Sequence, residues 1–228
     1  MKPILFNTEM VRAILSGRKT VTRRVMKPQP LFKTHRKFVF ADDVCPKKWE
    51  DCSDIVATYT YQPGDILYVR ETWKVQSALR FDANARIMFK AGGNMTTIQF
   101  ENGCSQSSDR LEYDAFIDKW MQSDGWHPSI HMPKEAARLF LRVTNVRVER
   151  LQDITEDQTK AEGANWTEGR NVGFEEKLRR SSIERFTEIW NNTIKKPDRD
   201  KYGWDANPWV WVIEFERISK EEAYHEAN

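Results

Sequence analysis

The stretch S-G-R-K-T-V-T-R-R, residues 16–24, ends one predicted element and begins the next. Gly17 suits the left-handed residue that stops a helix, and the residues that follow Thr8 carry apolar side chains at helical spacing. Residues 20–25 contain alternating β-branched side chains, which is typical of a strand. The stretch therefore predicts a helix, a turn that holds Lys19, and a strand.

Farther along the chain, the patterns predict an α+β fold. Alternating side chains indicate strands at 66–73, 139–151 and 209–218, and T-E-D-Q at 155–158 is a capping box that opens a helix. The order of elements lacks the regular alternation that builds a doubly wound parallel sheet. We therefore expect a small, mostly antiparallel β-barrel flanked by helices.

Two segments interrupt this framework and are interpreted as inserted loop regions, 27–63 with four prolines and 74–125 with many Gly, Asn, Ser and Asp residues. The predicted structure inside them is a small hairpin around 38–40, a strand-like patch at 87–89 and a short helix at 113–121. Residues 1–218 are expected to form one domain, and the charged residues 219–228 are expected to fray.

Charge is distributed unevenly. Residues 1–40 hold ten Lys or Arg and one acidic residue, a net charge of +9, whereas the whole chain of 228 residues has a net charge of +2. A local basic segment of this kind favours contact with phosphate or nucleic acid. The alternative is a solvated basic face.

Composition bears on several other classes of protein. No apolar run approaches the roughly 20 residues that span a bilayer, and the N-terminus lacks the apolar region of a signal peptide, so we expect a cytoplasmic protein without membrane contact. Three cysteines do not form a disulfide framework. The cysteines and the four histidines have no metal-ligand spacing, so no metal is expected.

Lys19 and Thr22 together suggest an activated hydroxyl, because a Thr oxygen becomes nucleophilic when a neighbouring base takes its proton. A Lys acts as a base only when burial or nearby cations lower its pKa, and Arg18, Arg23 and Arg24 are close in sequence. Residues three apart on a regular strand face opposite ways, so Lys19 must precede the strand. The alternative is a solvated Lys beside an inert Thr.

Glu162 is predicted at the end of the helix that the capping box opens. The negative end of the helix dipole disfavours a carboxylate there by roughly 0.3–1 kcal/mol. A cation from the basic segment would offset this cost. The alternative is a solvated residue at a helix end.

Four segments carry a resemblance to a known family: L-S-G-R-K-T-V-T-R-R, I-L-Y-V-R-E-T-W, E-R-L-Q-D-I-T-E-D-Q-T-K-A-E-G and N-P-W-V-W-V-I-E-F-E-R. Together they resemble the ASCH domain, whose members share a small barrel related to the PUA domain. With P-S-I-H-M-P at 128–133, the chain is similar to longer ASCH proteins of bacteria, phages and prophages. The resemblance covers the framework segments and omits both insertions.

The resemblance implies a pocket for a nucleoside, a nucleotide or single-stranded nucleic acid. A small bacterial branch of the family hydrolyses N4-acetylcytidine to cytidine and acetate with a Lys, a Thr and a Glu, and it uses neither metal nor cofactor. Aligning its G-R-K-T-x-T motif and its T-E helix implies Lys19, Thr22 and Glu162 as the catalytic residues. The leading hypothesis is therefore an amidohydrolase acting on acylated cytosine nucleosides or nucleotides.

Two departures bear on this transfer, because the amidohydrolases are much shorter and carry an apolar residue where this chain has Arg23. The additional charge favours a ligand that bears phosphate. Substrate-binding roles are expected for a set of charged, polar and aromatic residues: Arg18, Arg23, Arg24, Arg70, Glu71, Trp73, Ser129 and His131.

Two other functions remain open. A non-catalytic module would use the basic segment for RNA or DNA phosphate and its aromatic residues for a base. A ribonuclease would use Lys19 or His131 to activate a ribose 2′-hydroxyl.

Overall fold

The computed structural model describes residues 1–30, 32–33, 37–40, 48–51, 59–100, 113–121, 125–164 and 182–227. For residues 32–33, 37–40 and 48–51 it describes the backbone only. The chain is α+β with mostly antiparallel sheets. Its strands are β1 (Lys2–Leu5), β2 (Val21–Val25), β3 (Phe32–Lys33), β4 (Lys37–Phe40), β5 (Lys48–Asp51), β6 (Ile66–Arg70), β7 (Trp73–Leu79), β8 (Asn84–Phe89), β9 (Thr96–Gln99), β10 (Phe140–Arg150) and β11 (Trp209–Ile218).

The α-helices of the described residues are α1 (Thr8–Leu15), α2 (Tyr113–Trp120), α3 (Glu156–Ala161), α4 (Ser182–Thr193), α5 (Arg199–Tyr202) and α6 (Lys220–Glu226). Short 3-10 helices lie at Ser129–His131, Lys134–Ala136, Leu151–Asp153 and Lys196–Asp198. None of the helices in these parts of the chain is long and apolar enough to cross a membrane.

The strands of the described residues form three sheets, with the orders β1-β6-β10-β11-β2, β3-β4-β5 and β7-β8-β9. Strands β1 and β6 are parallel, whereas β2 and β11 are antiparallel. Closure of the strands into a barrel stays a prediction.

The backbone divides into two compact units, and the expectation of one domain over residues 1–218 stays a prediction. The first consists of Met1–Leu15, Ile66–Leu141 and Arg217–Asn228, and the second of Ser16–Asp65 and Arg142–Glu216. Each unit has buried apolar residues of its own. Trp73, Ile87 and Phe140 are among those of the first unit, and Phe186 and Val212 are among those of the second.

The described residues within 74–125 contain regular secondary structure. Strands β7, β8 and β9 pair antiparallel, the strand-like patch at 87–89 lies in β8, and the predicted helix is present as α2. Gly92 and Gly93 lie between β8 and β9 and adopt positive φ angles of 82° and 83°. Within 27–63, the predicted hairpin corresponds to β4, which pairs with β3 and β5.

The C-terminal residues form helix α6 instead of fraying. Ser219 and Glu222 form a reciprocal capping box at its start, in which the side chain of each accepts a hydrogen bond from the backbone N–H of the other. Ala223 is fully buried in the apolar core of the first unit, and Tyr224 packs edge-to-face on Phe140. The capping box and the burial of Ala223 stabilise helix α6, although the charged composition of this segment predicted a frayed tail.

Candidate active site

Helix α3 determines the position of Glu162. The side chain of Thr155 accepts a hydrogen bond from the Gln158 backbone, and Gln158 returns one to the Thr155 backbone, which confirms the predicted capping box. Six residues later the helix ends, because Gly163 adopts a left-handed φ of 85°. Glu162 is the C-cap residue, where the helix dipole disfavours its carboxylate.

Lys19 lies before β2, next to the end of α3. Its backbone forms an isolated antiparallel bridge with Glu162, and the Thr20 N–H donates to the Ala161 carbonyl at 2.9 Å while the Thr20 carbonyl accepts from Phe215. Thr20 thus divides its backbone hydrogen bonds between two elements. Lys19 therefore precedes the regular part of β2, so its side chain does not follow the alternating directions of the side chains in that strand.

Lys19 and Glu162 form a buried ion pair. The Lys19 Nζ donates to Glu162 Oε2 at 2.6 Å, to the Glu162 carbonyl at 3.1 Å and to the Val21 carbonyl at 2.7 Å. The Lys19 side chain has no exposed area, and that of Glu162 is 5% exposed. The positive charge of Lys19 offsets the cost of placing the Glu162 carboxylate at the negative end of the helix dipole. The sequence predicted such a cation from the basic segment.

The surroundings of Lys19 lower the pKa of its side chain below that of an ordinary Lys. Burial lowers its pKa, Glu162 opposes that change, and the charges of Arg24 and Arg23 reinforce it. The net direction is downward, which increases the fraction of neutral amine at a given pH. A buried Lys with a lowered pKa beside a specific charged partner is a candidate for proton transfer.

Arg23 belongs to this buried network, so the expected contact with substrate phosphate is corrected. Its guanidinium donates to Glu162 Oε1 at 3.1 Å, to Gln158 Oε1 at 2.9 Å and to Glu149 Oε2 at 3.4 Å. The side chain has no exposed area. The alternation of β2 turns Arg23 towards α3 and away from solvent.

Thr22 is buried and pairs through its backbone with Ile213 of β11. The carbonyl that accepts from Lys19 Nζ belongs to the peptide joining Val21 to Thr22. Standard bond lengths therefore put Nζ within roughly 8 Å of the Thr22 Oγ1.

The even-numbered face of β2 combines Thr22 and Arg24 with aromatic side chains. Arg24 pairs in register with Trp211, and Tyr59 stacks on Trp211 with ring centroids 4.1 Å apart and planes 13° apart. Tyr61 packs edge-on against Tyr59. Burial raises the pKa of both tyrosine hydroxyls, and the charge of Arg24 opposes the rise, so the hydroxyls stay protonated near neutral pH.

Five of the expected binding residues belong to the first unit, and two of them are buried there. Trp73 has no exposed area and packs against Phe116, Trp120 and His127, so it is a core residue rather than an open wall. Glu71 is 1% exposed and accepts two hydrogen bonds from Arg138, at 2.8 and 2.9 Å. Burial raises the pKa of Glu71, and Arg138 opposes this.

The other expected binding residues are more accessible. Arg70 donates to the Met132 carbonyl at 2.9 Å, while Ser129 and His131 lie in one 3-10 helix. His131 is exposed, with its ring 5.6 Å from that of Trp120. In the second unit, Arg18 is partly exposed and donates to Ser16 Oγ at 2.9 Å.

The site gains residues that sequence reasoning missed: Gln158, Glu149, Tyr59, Tyr61 and Trp211. Gln158 was visible as a cap, but its contact with Arg23 depends on tertiary structure. Trp211 lies in the strand predicted at 209–218, and the register of that strand with β2 sets it beside Arg24.

Among the residues that the structure describes, no cluster of three or more His, Cys, Asp or Glu side chains is arranged to hold a metal ion. His35, Cys45, Cys52 and Cys104 lie outside those residues. Comparisons of the chain with protein-family models, with curated proteins and with solved structures find no match.

Proposed function

We propose that the chain is a metal-independent amidohydrolase of the ASCH, PUA-like class, which removes the acyl group from N4-acylated cytosine nucleosides or nucleotides. The observation that carries the proposal is the buried contact of Lys19 Nζ with Glu162 at 2.6 Å, beside the peptide of Thr22. These three residue types are the ones that the resemblance implies for the reaction. The proposal includes closure of the framework strands into a PUA-like barrel.

Lys19 is the proton-transfer residue in this mechanism. Burial and two neighbouring arginines favour its neutral amine, which a general base requires. Glu162 accepts a hydrogen bond from the Lys19 Nζ and so fixes the orientation of the Lys19 amine. Glu162 also stabilises the ammonium that forms when Lys19 takes up a proton.

Thr22 attacks the acyl carbonyl carbon or positions the attacking water, and Lys19 receives the proton released. The carbon–N4 bond then breaks, and Lys19 returns the proton to N4, so cytidine leaves neutral. When Thr22 is the nucleophile, a water molecule hydrolyses the acyl-threonine ester. One water is consumed for each acetate and cytidine formed.

Arg24 provides positive charge on the face of β2 that Thr22 shares. A cation near an attacked carbonyl stabilises the oxyanion of the tetrahedral intermediate. It also attracts the phosphate of a nucleotide substrate. We therefore expect acylated nucleotides to be accepted as well as nucleosides.

Cytidine release from N4-acetylcytidine tests the proposal. The wild-type chain is expected to release it, and Thr22→Val, which keeps the side-chain shape without the hydroxyl, to lose at least about a hundredfold in rate. Thr144→Val is the matched control, because Thr144 is an exposed strand residue. A wild-type chain inactive on this and related N4-acyl substrates would refute the proposal.

Tyr59 is partly exposed and stacks on the buried Trp211 beside Arg24, which favours a second candidate, a non-catalytic binder of single-stranded nucleic acid. Bases stack on aromatic side chains with little sequence preference, and cations follow the backbone phosphates. The same face of β2 would then read its ligand without cleaving it.

Salt dependence separates the two candidates. A binder is expected to lose affinity for single-stranded RNA steeply as salt rises, because phosphate contacts release counterions. Hydrolysis of a neutral nucleoside is expected to change little over the same range. Titrating the protein with fluorescent RNA between about 50 and 200 mM salt, the span over which such losses are large, measures the binding affinity. Assaying cytidine release over the same range measures the rate of hydrolysis.

A further inference from the structure

Arg23 connects three side chains that surround the proposed proton-transfer pair. Its guanidinium contacts Glu162 and Gln158 of the α3 region and Glu149 of β10. The side chain has no exposed area. A fully buried arginine in the middle of a basic segment therefore binds the protein rather than a ligand.

The two oxygens of the Glu162 carboxylate are held by different cations. Oε1 accepts from Arg23 at 3.1 Å, and Oε2 accepts from Lys19 at 2.6 Å. A carboxylate held at both oxygens cannot rotate without breaking one hydrogen bond. Arg23 thus fixes the plane in which Glu162 meets the amine of Lys19.

Gln158 extends this hold to the start of the helix. Its Oε1 accepts from Arg23 and also from the Thr155 backbone N–H in the capping box. Gln158 and Glu162 are four residues apart and so lie on one face of the helix. A single guanidinium therefore ties both ends of α3 to β2.

Arg23 carries a positive charge that acts on Lys19. Ion pairs connect Lys19, Arg23 and Arg147 with Glu162, Glu149 and Glu214, and the charges of Arg24 and Arg23 both lower the pKa of Lys19. Removing Arg23 takes away one of these positive charges and leaves both carboxylate partners of Arg23 in place. The ammonium form of Lys19 is then favoured over the neutral amine.

We propose that Arg23 is a positioning residue, which holds the Glu162 carboxylate against Lys19 and keeps the pair ready for proton transfer. The inference rests on the proposed hydrolysis by Lys19. It assigns to Arg23 a role distinct from phosphate binding and gives a reason for an arginine where the resembling enzymes have an apolar residue.

The test compares Arg23→Gln and Arg23→Lys with wild type in two assays on the full chain. The first is the pH profile of kcat/KM for N4-acetylcytidine, and the second is an NMR titration of the Lys19 side chain. Arg23→Gln is expected to move the ascending limb and the Lys19 titration to higher pH by about one unit. Arg23→Lys keeps the charge, so it should leave the titration near its wild-type position and lower kcat, because a lysine lacks the fork that reaches several acceptors.

Arg185→Gln is the control, since Arg185 pairs with Glu188 within helix α4 and has no contact with the Arg23 network among the described hydrogen bonds and ion pairs. It should change neither assay. If Arg23→Gln folds and its Lys19 titrates at the same pH as in wild type, the inference is overturned. If Arg23→Gln does not fold, a wild-type kcat in Arg23→Lys overturns it instead. Absence of hydrolysis in the wild type refutes the proposed function instead, and the NMR titration still decides the role of Arg23.

Discussion

Lys19→Met should lower kcat/KM for N4-acetylcytidine by about a hundredfold to ten-thousandfold, the range that general acid–base groups contribute. Methionine approximates the length of the lysine stem and has no titratable group. Lys19 Nζ is the atom that contacts Glu162 and lies beside the Thr22 peptide. Its loss removes the base for the attack and the acid for the leaving nitrogen.

The control is Lys160→Met on helix α3, where the lysine is half-exposed and pairs with Asp157. This variant should keep the wild-type rate. Circular dichroism should show that both variants are folded under assay conditions. A folded Lys19→Met with wild-type activity contradicts the assignment of Lys19 as base.

Glu162→Gln should lower the free energy of unfolding by about 3–5 kcal/mol, the usual result of removing one partner from a buried ion pair. Glutamine keeps the shape of the side chain but leaves Lys19 and Arg23 without the carboxylate that they share. Arg23 and the ammonium form of Lys19 then lose the counter-ion between them. Urea unfolding followed by tryptophan fluorescence measures the change.

Glu216→Gln provides the matched comparison. Glu216 is about half-exposed and pairs with Arg142 on the surface, so its replacement should cost less than about 1 kcal/mol. A loss of that small size at Glu162 would mean that water or neighbouring groups compensate the buried charges. The electrostatic account of the site would then be wrong.

Local signals predicted the parts of the site that depend on neighbouring residues. The capping box at Thr155 and the glycine at 163 bracket a short helix and put Glu162 at its end. Gly17 and the alternation after Thr20 put Lys19 in the turn before β2. Each of these features is decided within a few residues, so it can be read without the tertiary structure.

Other parts of the site depend on which strands and helices meet. The side of β2 that carries Arg23 became the buried side because α3 packs there, and the charge pattern alone suggested a solvated or phosphate-binding arginine. Trp73 begins β7 in a second sheet, and its ring is enclosed by Phe116, Trp120 and His127. Trp211 reaches Arg24 through a register that no local signal encodes.

The most direct test of the amidohydrolase account is to incubate the full chain with N4-acetylcytidine in ¹⁸O-labelled water and to follow cytidine and acetate. The account predicts equal amounts of both products, with the label in the acetate, from wild type and hardly any from Lys19→Met. Wild-type protein that forms no cytidine from N4-acetylcytidine or related N4-acylcytidines, while remaining folded, would contradict it.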